Sequence, residues 1–147
     1  MLFFNRDLSH NQLTVVGRRT FRGAPNINNL QLDNNQLTCI DDVAIKNLND
    51  LQVLTLNTNN LTTLPRELFE RMTGLRSVRL ADNPFICDCR LSWLGRWLRR
   101  HPTLALFTKC HAPATLRGKE VAELHDSDFR CPVCQQDVSY QFLPVCQ

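Results

Sequence analysis

Four asparagines set the constraint that everything else in this sequence obeys. Asn11, Asn35, Asn59 and Asn83 stand 24 residues apart. Three residues before them come Leu8, Leu32, Leu56 and Leu80, and two after them Leu13, Leu37, Leu61 and Phe85. Further apolar columns keep the same phase: Ile27, Leu51, Leu75; Leu30, Leu54, Val78; Phe21, Ile45, Phe69; and Val16, Ile40, Leu64. A fixed period of this size describes a chain that winds in coils, each stacking on the last, with one supersecondary unit per coil.

The role of each column follows from elementary geometry. Leu30 and Leu32 are two residues apart, so in a strand they face one side while Gln31 and Asp33 face the other. Each coil therefore contributes a short strand, and stacked coils make a parallel sheet. An asparagine at the bend after the strand offers an acceptor and two donors, which can serve backbone groups of its own and the neighbouring coil. A leucine there would leave those groups unpaired, at roughly 1–3 kcal/mol each. These columns read as scaffold. Binding residues are expected instead on the outward strand positions that line the concave face: Asn29, Gln31 and Asp33; Val53, Thr55 and Asn57; Ser77, Arg79 and Ala81. That row is mostly polar, without an aromatic cage, and suits a flat protein partner better than a small molecule.

The first coil departs from the pattern, because Arg6 occupies the column of Leu30, Leu54 and Val78. With no cysteine-bearing cap before Leu8, the expectation is that the chain begins inside a longer array. After Asn83 the period ends and NPFICDCRLSWLGRWLRRHP follows. Leu91, Leu94 and Leu98, joined by Trp93 and Trp97, have helical spacing. Asp88 lies near the expected helix start, Arg99, Arg100 and His101 near its end, and Pro102 stops it. Such a helix would seal the last coil, and four cysteines, Cys87, Cys89, Cys110 and Cys131, would anchor it. Spacing alone allows three pairings among four cysteines.

The pattern L-x-x-L-x-L-x-x-N-x-L resembles the leucine-rich repeat, and NPFxCDC followed by W-L-x-x-W-L and two more cysteines resembles the cysteine-rich C-terminal flank of extracellular repeat proteins. That resemblance implies Cys87–Cys110 and Cys89–Cys131. The segments LQLDNNQLTCIDDVAIKNL, LQVLTLNTNNLTTLP and CDCRLSWLGRWLRRHPTLALFTKCHAPATLRGKEVAEL further resemble the Slit family of secreted axon-guidance ligands, most of all its first repeat domain. The resemblance implies a secreted protein working through Roundabout-type receptors, with no receptor-contact residues assigned here. The alternative is another secreted or cell-surface leucine-rich repeat protein, such as an adhesion receptor.

Composition narrows the remaining options. No run of apolar residues is long enough to span a membrane, and the few residues before the first repeat are too short to read as a signal peptide, so the expectation is a fragment that lacks its export signal. The formal charge is +3, but Arg76 to Lys119 holds nine Lys/Arg against two Asp. The cap cations Arg90, Arg96, Arg99, Arg100, Lys109, Arg117 and Lys119 could bind a polyanion through salt-dependent attraction. Outside the cell that polyanion is heparan sulfate, whereas a disulfide cap argues against nucleic acid. Asn60-Leu61-Thr62 is a sequon for N-glycosylation. A zinc site built from the cap cysteines and His111 is a remote alternative, weakened because only one C-x-x-C knuckle, Cys131 to Cys134, is present.

Cys39 reads as a small packing residue or a free thiol, and Cys134 and Cys146 remain unassigned. Asp41-Asp42 reads as a charged loop on a solvent-side connection. No G-x-S-x-G, H-E-x-x-H or P-loop occurs, so the expectation is a non-enzymatic protein without cofactor. The chain divides as repeats over 1–83, a cysteine-rich cap over 84–132 and a tail over 133–147. The fold class expected is an α/β leucine-rich repeat solenoid of about four coils, the first incomplete, with a short parallel sheet and a disulfide-bonded helical cap.

Overall fold

The computed structural model describes residues 4–24 and 26–132. The 24-residue period becomes the register of a parallel sheet. Strands β1 (Asn5–Asp7), β3 (Asn29–Gln31), β5 (Val53–Thr55) and β6 (Ser77–Arg79) lie side by side in the order β1-β3-β5-β6. Arg6 pairs with Leu30, Leu30 with Leu54 and Leu54 with Val78. On the opposite side of the coils, β2 (Val15–Val16) pairs in parallel with β4 (Cys39–Ile40). The columns identified above fill the space between: Leu30, Leu32, Leu37, Leu54, Leu56, Leu61 and Leu80 are fully buried. Arg6, standing in an apolar column, is exposed.

The asparagine ladder holds the coils at the bend. Asn59 donates from Nδ2 to Leu32 O and Leu56 O, both at 3.0 Å, and its Oδ1 accepts from Leu37 N–H at 3.0 Å. Asn35 and Asn83 repeat this pattern one coil away on either side. Just before each ladder asparagine the chain passes through the left-handed region, at His10, Asn34, Thr58 and Asp82, with φ between 56° and 59°. This conformation costs a side-chain-bearing residue about 1 kcal/mol or more. It is offset in the inner coils, where the amides of His10, Asn34 and Thr58 donate to Asp33, Asn57 and Ala81 of the next coil.

The connection after β4 differs from the loop expected of Asp41-Asp42. Asp41 is buried and caps the short helix α1 (Asp42–Lys46), its carboxylate accepting from Val43 N–H at 2.9 Å. An aspartate at an N-cap satisfies an otherwise orphaned helical amide, which is why the pair folds inward.

Beyond Asn83, Asp88 caps a single 3₁₀ turn, Cys89–Leu91, that leads into α2 (Ser92–Arg100). The apolar face of α2 buries Trp93, Leu94, Trp97 and Leu98. Trp93 and Trp97 meet Phe69 of the last coil at ring-centroid distances of 5.7 and 4.7 Å, and His101 lies on Trp97 at 5.0 Å. On its other side α2 packs closely against the chain at Val121 and Phe129. A Cβ on Gly95 would stand 3.0 Å from Phe129 Cζ and 3.4 Å from Val121 O, so a larger residue there requires the Phe129 ring to move. Two disulfides, Cys87–Cys110 and Cys89–Cys131, close the cap, with Cα–Cα distances of 5.7 and 5.4 Å.

Candidate functional site

The concave face is a shallow strip across four strands. The position that points outward at the end of each strand holds, in order, Asp7, Gln31, Thr55 and Arg79. Beside it run Asn29, Val53 and Ser77 on one side and Asp33, Asn57 and Ala81 on the other. Most are half-buried, Arg79 is exposed, and Thr55 is only 6% exposed. Thr55 therefore departs from the expectation of a contact residue. Its hydroxyl donates to Asp33 Oδ1 at 2.7 Å and accepts from Leu32 N–H at 3.2 Å, so it is consumed by the scaffold.

Charge on this strip is segregated. Burial of Asp33 would raise its pKa, but hydrogen bonds from Thr55, from Asn34 Nδ2 at 2.8 Å and from backbone N–H outweigh it. They hold the carboxyl below its ordinary value. His10 Nε2 lies 4.0 Å from Asp33 Oδ2. Asp7 is also held low, by the hydroxyl and N–H of Ser9. Two ionised carboxylates thus mark the β1–β3 side, and the guanidinium of Arg79 marks the β6 side. One cavity of about 190 Å³ sits at the β1 edge of the sheet, lined by Phe4, Asn5, Arg6, Ala24 and Ile27, and another of about 220 Å³ lies between Met72, Trp97 and His101, away from the strip. The strip is built to meet a surface, not to enclose a small molecule.

The cap cations fall into two groups. Arg90 binds Asp88, with Nη2 to Oδ2 at 2.8 Å. Arg96 and Arg99 both reach Asp126 at 3.3 Å, and Arg99 Nη1 also donates to Leu124 O. These three belong to the internal ties of the cap rather than to an open basic face. Arg100, Lys109, Arg117 and Lys119 are exposed and make no ion pair among the described residues. Asn60 is exposed, as is Thr62 of its sequon.

The cysteines correct two readings. Cys87, Cys89, Cys110 and Cys131 are held in disulfides, and a disulfide sulfur is not the thiolate that zinc requires. Cys39, read as a packing residue or a free thiol, is disulfide-bonded. Cys134 and Cys146 lie outside the described residues, as does the tail 133–147. Two features left no trace in the sequence reading: the inward cap at Asp41 and the display of Leu106 and Phe107, 59% and 70% exposed, after α2. The Asp pair before an apolar Val-Ala-Ile run was the available signal for the first.

Comparison with known proteins places this geometry. The leucine rich repeat pattern matches residues 7–49 and 25–85, together more than half of the chain. Human vasorin is 44% identical over 72 residues, which is 47% of this chain and 11% of that protein. Vasorin of Xenopus tropicalis is 42% identical over 67 residues, 44% of this chain and 10% of that protein. Mouse immunoglobulin superfamily member 10 is 30% identical over 80 residues, 46% of this chain and 3% of that protein. Among solved structures, human 5T4 (trophoblast glycoprotein) superposes with a TM-score of 0.72 at 26% identity, covering 87% of this chain and 47% of that one.

The chain thus spans about a tenth of the vasorins and about half of the 5T4 chain. These relatives overturn the Slit resemblance, and the Roundabout-type receptors that it implied go with it. The repeat columns and the C-x-C cap on which that resemblance rested are shared across capped repeat proteins and do not separate one from another. The alternative, a different secreted or cell-surface leucine-rich repeat protein, is the better supported.

Proposed function

This chain belongs to the leucine-rich repeat family, and on that footing we propose that it is a non-enzymatic recognition module of an extracellular protein. Its concave strip is the surface that meets a protein partner. The observation that carries this reading is the segregated polar row itself. Asn29, Gln31, Asp33, Val53, Asn57, Ser77 and Arg79 form one continuous face with carboxylates at one side and a guanidinium at the other. A partner with basic residues opposite Asp7 and Asp33 and an acidic residue opposite Arg79 would be oriented by charge before it is held by contact.

The disulfides support an extracellular setting, since such bonds form and persist in oxidising compartments. The exposed sequon at Asn60 supports it too, and the name of 5T4 as a glycoprotein is in keeping. Intact mass of protein secreted by animal cells, before and after glycosidase, tests this: no mass loss removes that support.

The concave assignment is tested by placing a photoreactive amino acid at Gln31 or Ser77, and in a second pair at the exposed convex positions Arg66 or Glu70. Light-driven adducts with one cell-surface protein from the concave pair alone are expected. Equal adducts from both pairs would overturn the assignment.

Heparan sulfate binding is a second reading, favoured by the four cap cations that stand outside ion pairs. Reversing Arg100, Lys109, Arg117 and Lys119 should lower the salt needed for elution from heparin. Unchanged elution would end that reading.

A further inference from the structure

The cap holds two large apolar side chains outward and, close by in the chain, lines a hole of matching size. Leu106 and Phe107 are 59% and 70% exposed, more than any other large apolar side chain among the described residues. The tip that carries them is fastened at both ends. Leu104 O accepts from Val78 N–H at 2.9 Å, and Thr108 O accepts from Val121 N–H at 2.8 Å. Between these ties Phe107 turns through the left-handed region at φ 61°, which a residue with a side chain ordinarily avoids. The fold thus holds the ring out in water.

The hole is the cavity of about 220 Å³ on the seam between the last coil and α2. Phe69, Met72, Leu75 and Trp97 line it and are themselves buried, and Leu104 lines it from the start of the exposed tip. An apolar cavity of about 150 Å³ takes up benzene, so this one has room for a phenyl ring. It is small for a drug-sized ligand, whose sites begin at about 300 Å³. The thioether of Met72 suits the edge of an aromatic ring. Glu70 and Arg100 stand at the mouth, both exposed and neither in an ion pair among the described residues. One carboxylate and one guanidinium on the same face let two copies of that face meet with opposite charges opposed.

We propose that two copies of this chain associate about a two-fold axis, Phe107 of each entering the cavity of the other. A two-fold contact requires a patch complementary to itself, and an exposed ring beside a ring-sized hole is such a patch. Both halves are formed before they meet, so little ordering opposes the contact. An interface built on two rings belongs to the small, transient class, so dimers are expected at roughly 10–100 µM while dilute protein is monomeric. None of these residues belongs to the concave strip, so the proposal does not depend on that assignment.

Sedimentation velocity of the oxidised full chain, over a series from about 1 to about 300 µM, reads the association. Phe107→Asn removes the ring and keeps a residue that accepts the left-handed bend. Thr73→Arg, at an exposed position on the cavity lining, blocks the hole. Unchanged melting temperatures check that both variants keep the fold.

The wild type should dimerise, and each variant alone should lose association roughly tenfold or more. An equimolar mixture of the two should regain part of it, because the ring of the Thr73→Arg protein still fits the open cavity of the Phe107→Asn protein. In a mixture of wild-type chains with and without carbon-13 methionine methyls, the Met72 methyl should show an intermolecular NMR contact with the Phe107 ring. A wild type that stays monomeric, undiminished association of Phe107→Asn, or a mixture no better than either variant would each overturn the proposal. So would absence of the Met72 contact, assemblies larger than two, or a dimer that survives denaturation without reductant.

Discussion

Replacing Asn83 by alanine should cost more stability than the same change at any other ladder position, and the hydrogen bonds say why. Asn83 Oδ1 accepts from the buried Leu61 N–H at 3.1 Å, and its Nδ2 donates to Leu56 O, Leu80 O and Ala81 O at 2.9, 3.0 and 3.4 Å. After truncation, Leu56 O still receives Asn59 Nδ2 and Ala81 O still receives Thr58 N–H. Leu61 N–H and Leu80 O are left with nothing. Two buried groups orphaned at about 1–3 kcal/mol each give a loss of about 2–6 kcal/mol.

Asn35 has the same bonds, but its loss is cushioned. Leu8 O keeps Asn11, Leu32 O keeps Asn59, and Leu13 N–H lies nearer the surface. Its truncation should cost about 1–3 kcal/mol. Gln31→Ala, on the half-buried outward face, should stay within about 0.5 kcal/mol. Urea denaturation with an unchanged slope reads these differences directly. Equal midpoints for Asn83→Ala and Gln31→Ala, or a larger loss at Asn35 than at Asn83, would refute the assignment of the ladder as the tie between coils.

Three other outcomes follow from the packing and charge of the same structure. Gly95→Ala should destabilise by about 1–3 kcal/mol, because its Cβ drives into the Phe129 ring; a midpoint no lower than the wild type would contradict the packing of α2. Cys89→Ser, opening a loop with a sequence separation of 42, should cost about 4 kcal/mol on loop-closure entropy, checked by denaturation of the purified variant. Asp33 has its carboxyl held below the ordinary range, so its contribution to stability is present above the unfolded carboxyl value and is lost as pH falls through the lowered folded value. Thr55→Val removes one of the bonds that lower it. The Asp33 titration seen by NMR should then move up, and no movement would refute that hydrogen bond as a cause.

The coils were legible because their columns are repeated. Leu30, Leu54 and Val78 carry the same instruction three times, so period and register agree in sequence and structure. The helical cap was legible for a different reason: Trp93, Trp97 and the leucines between them define one face, and Pro102 limits its extent.

What escaped depended on single contacts. Thr55 looks identical in type to its outward neighbours, and only the approach of Asp33 from the adjacent coil draws it inward. The left-handed bends at Thr58 and Phe107 fall on residues that normally avoid that conformation, so no glycine announces them. The ion pairs of Arg96 and Arg99 were not legible because Asp126, remote in sequence, folds back onto both. The family was readable from the repeats, but the particular relatives were not, since scaffold columns are what these proteins share.

The most direct measurement is a titration of labelled, oxidised protein on cells selected for binding the wild type, comparing two variants with unchanged melting temperatures. One carries Gln31→Lys and Ser77→Lys on the concave strip, the other Arg66→Glu and Glu70→Lys on the convex side. The concave pair should weaken binding roughly tenfold or more, while the convex pair stays within about twofold. The reverse ranking, or equal losses from both, would contradict recognition through the concave face.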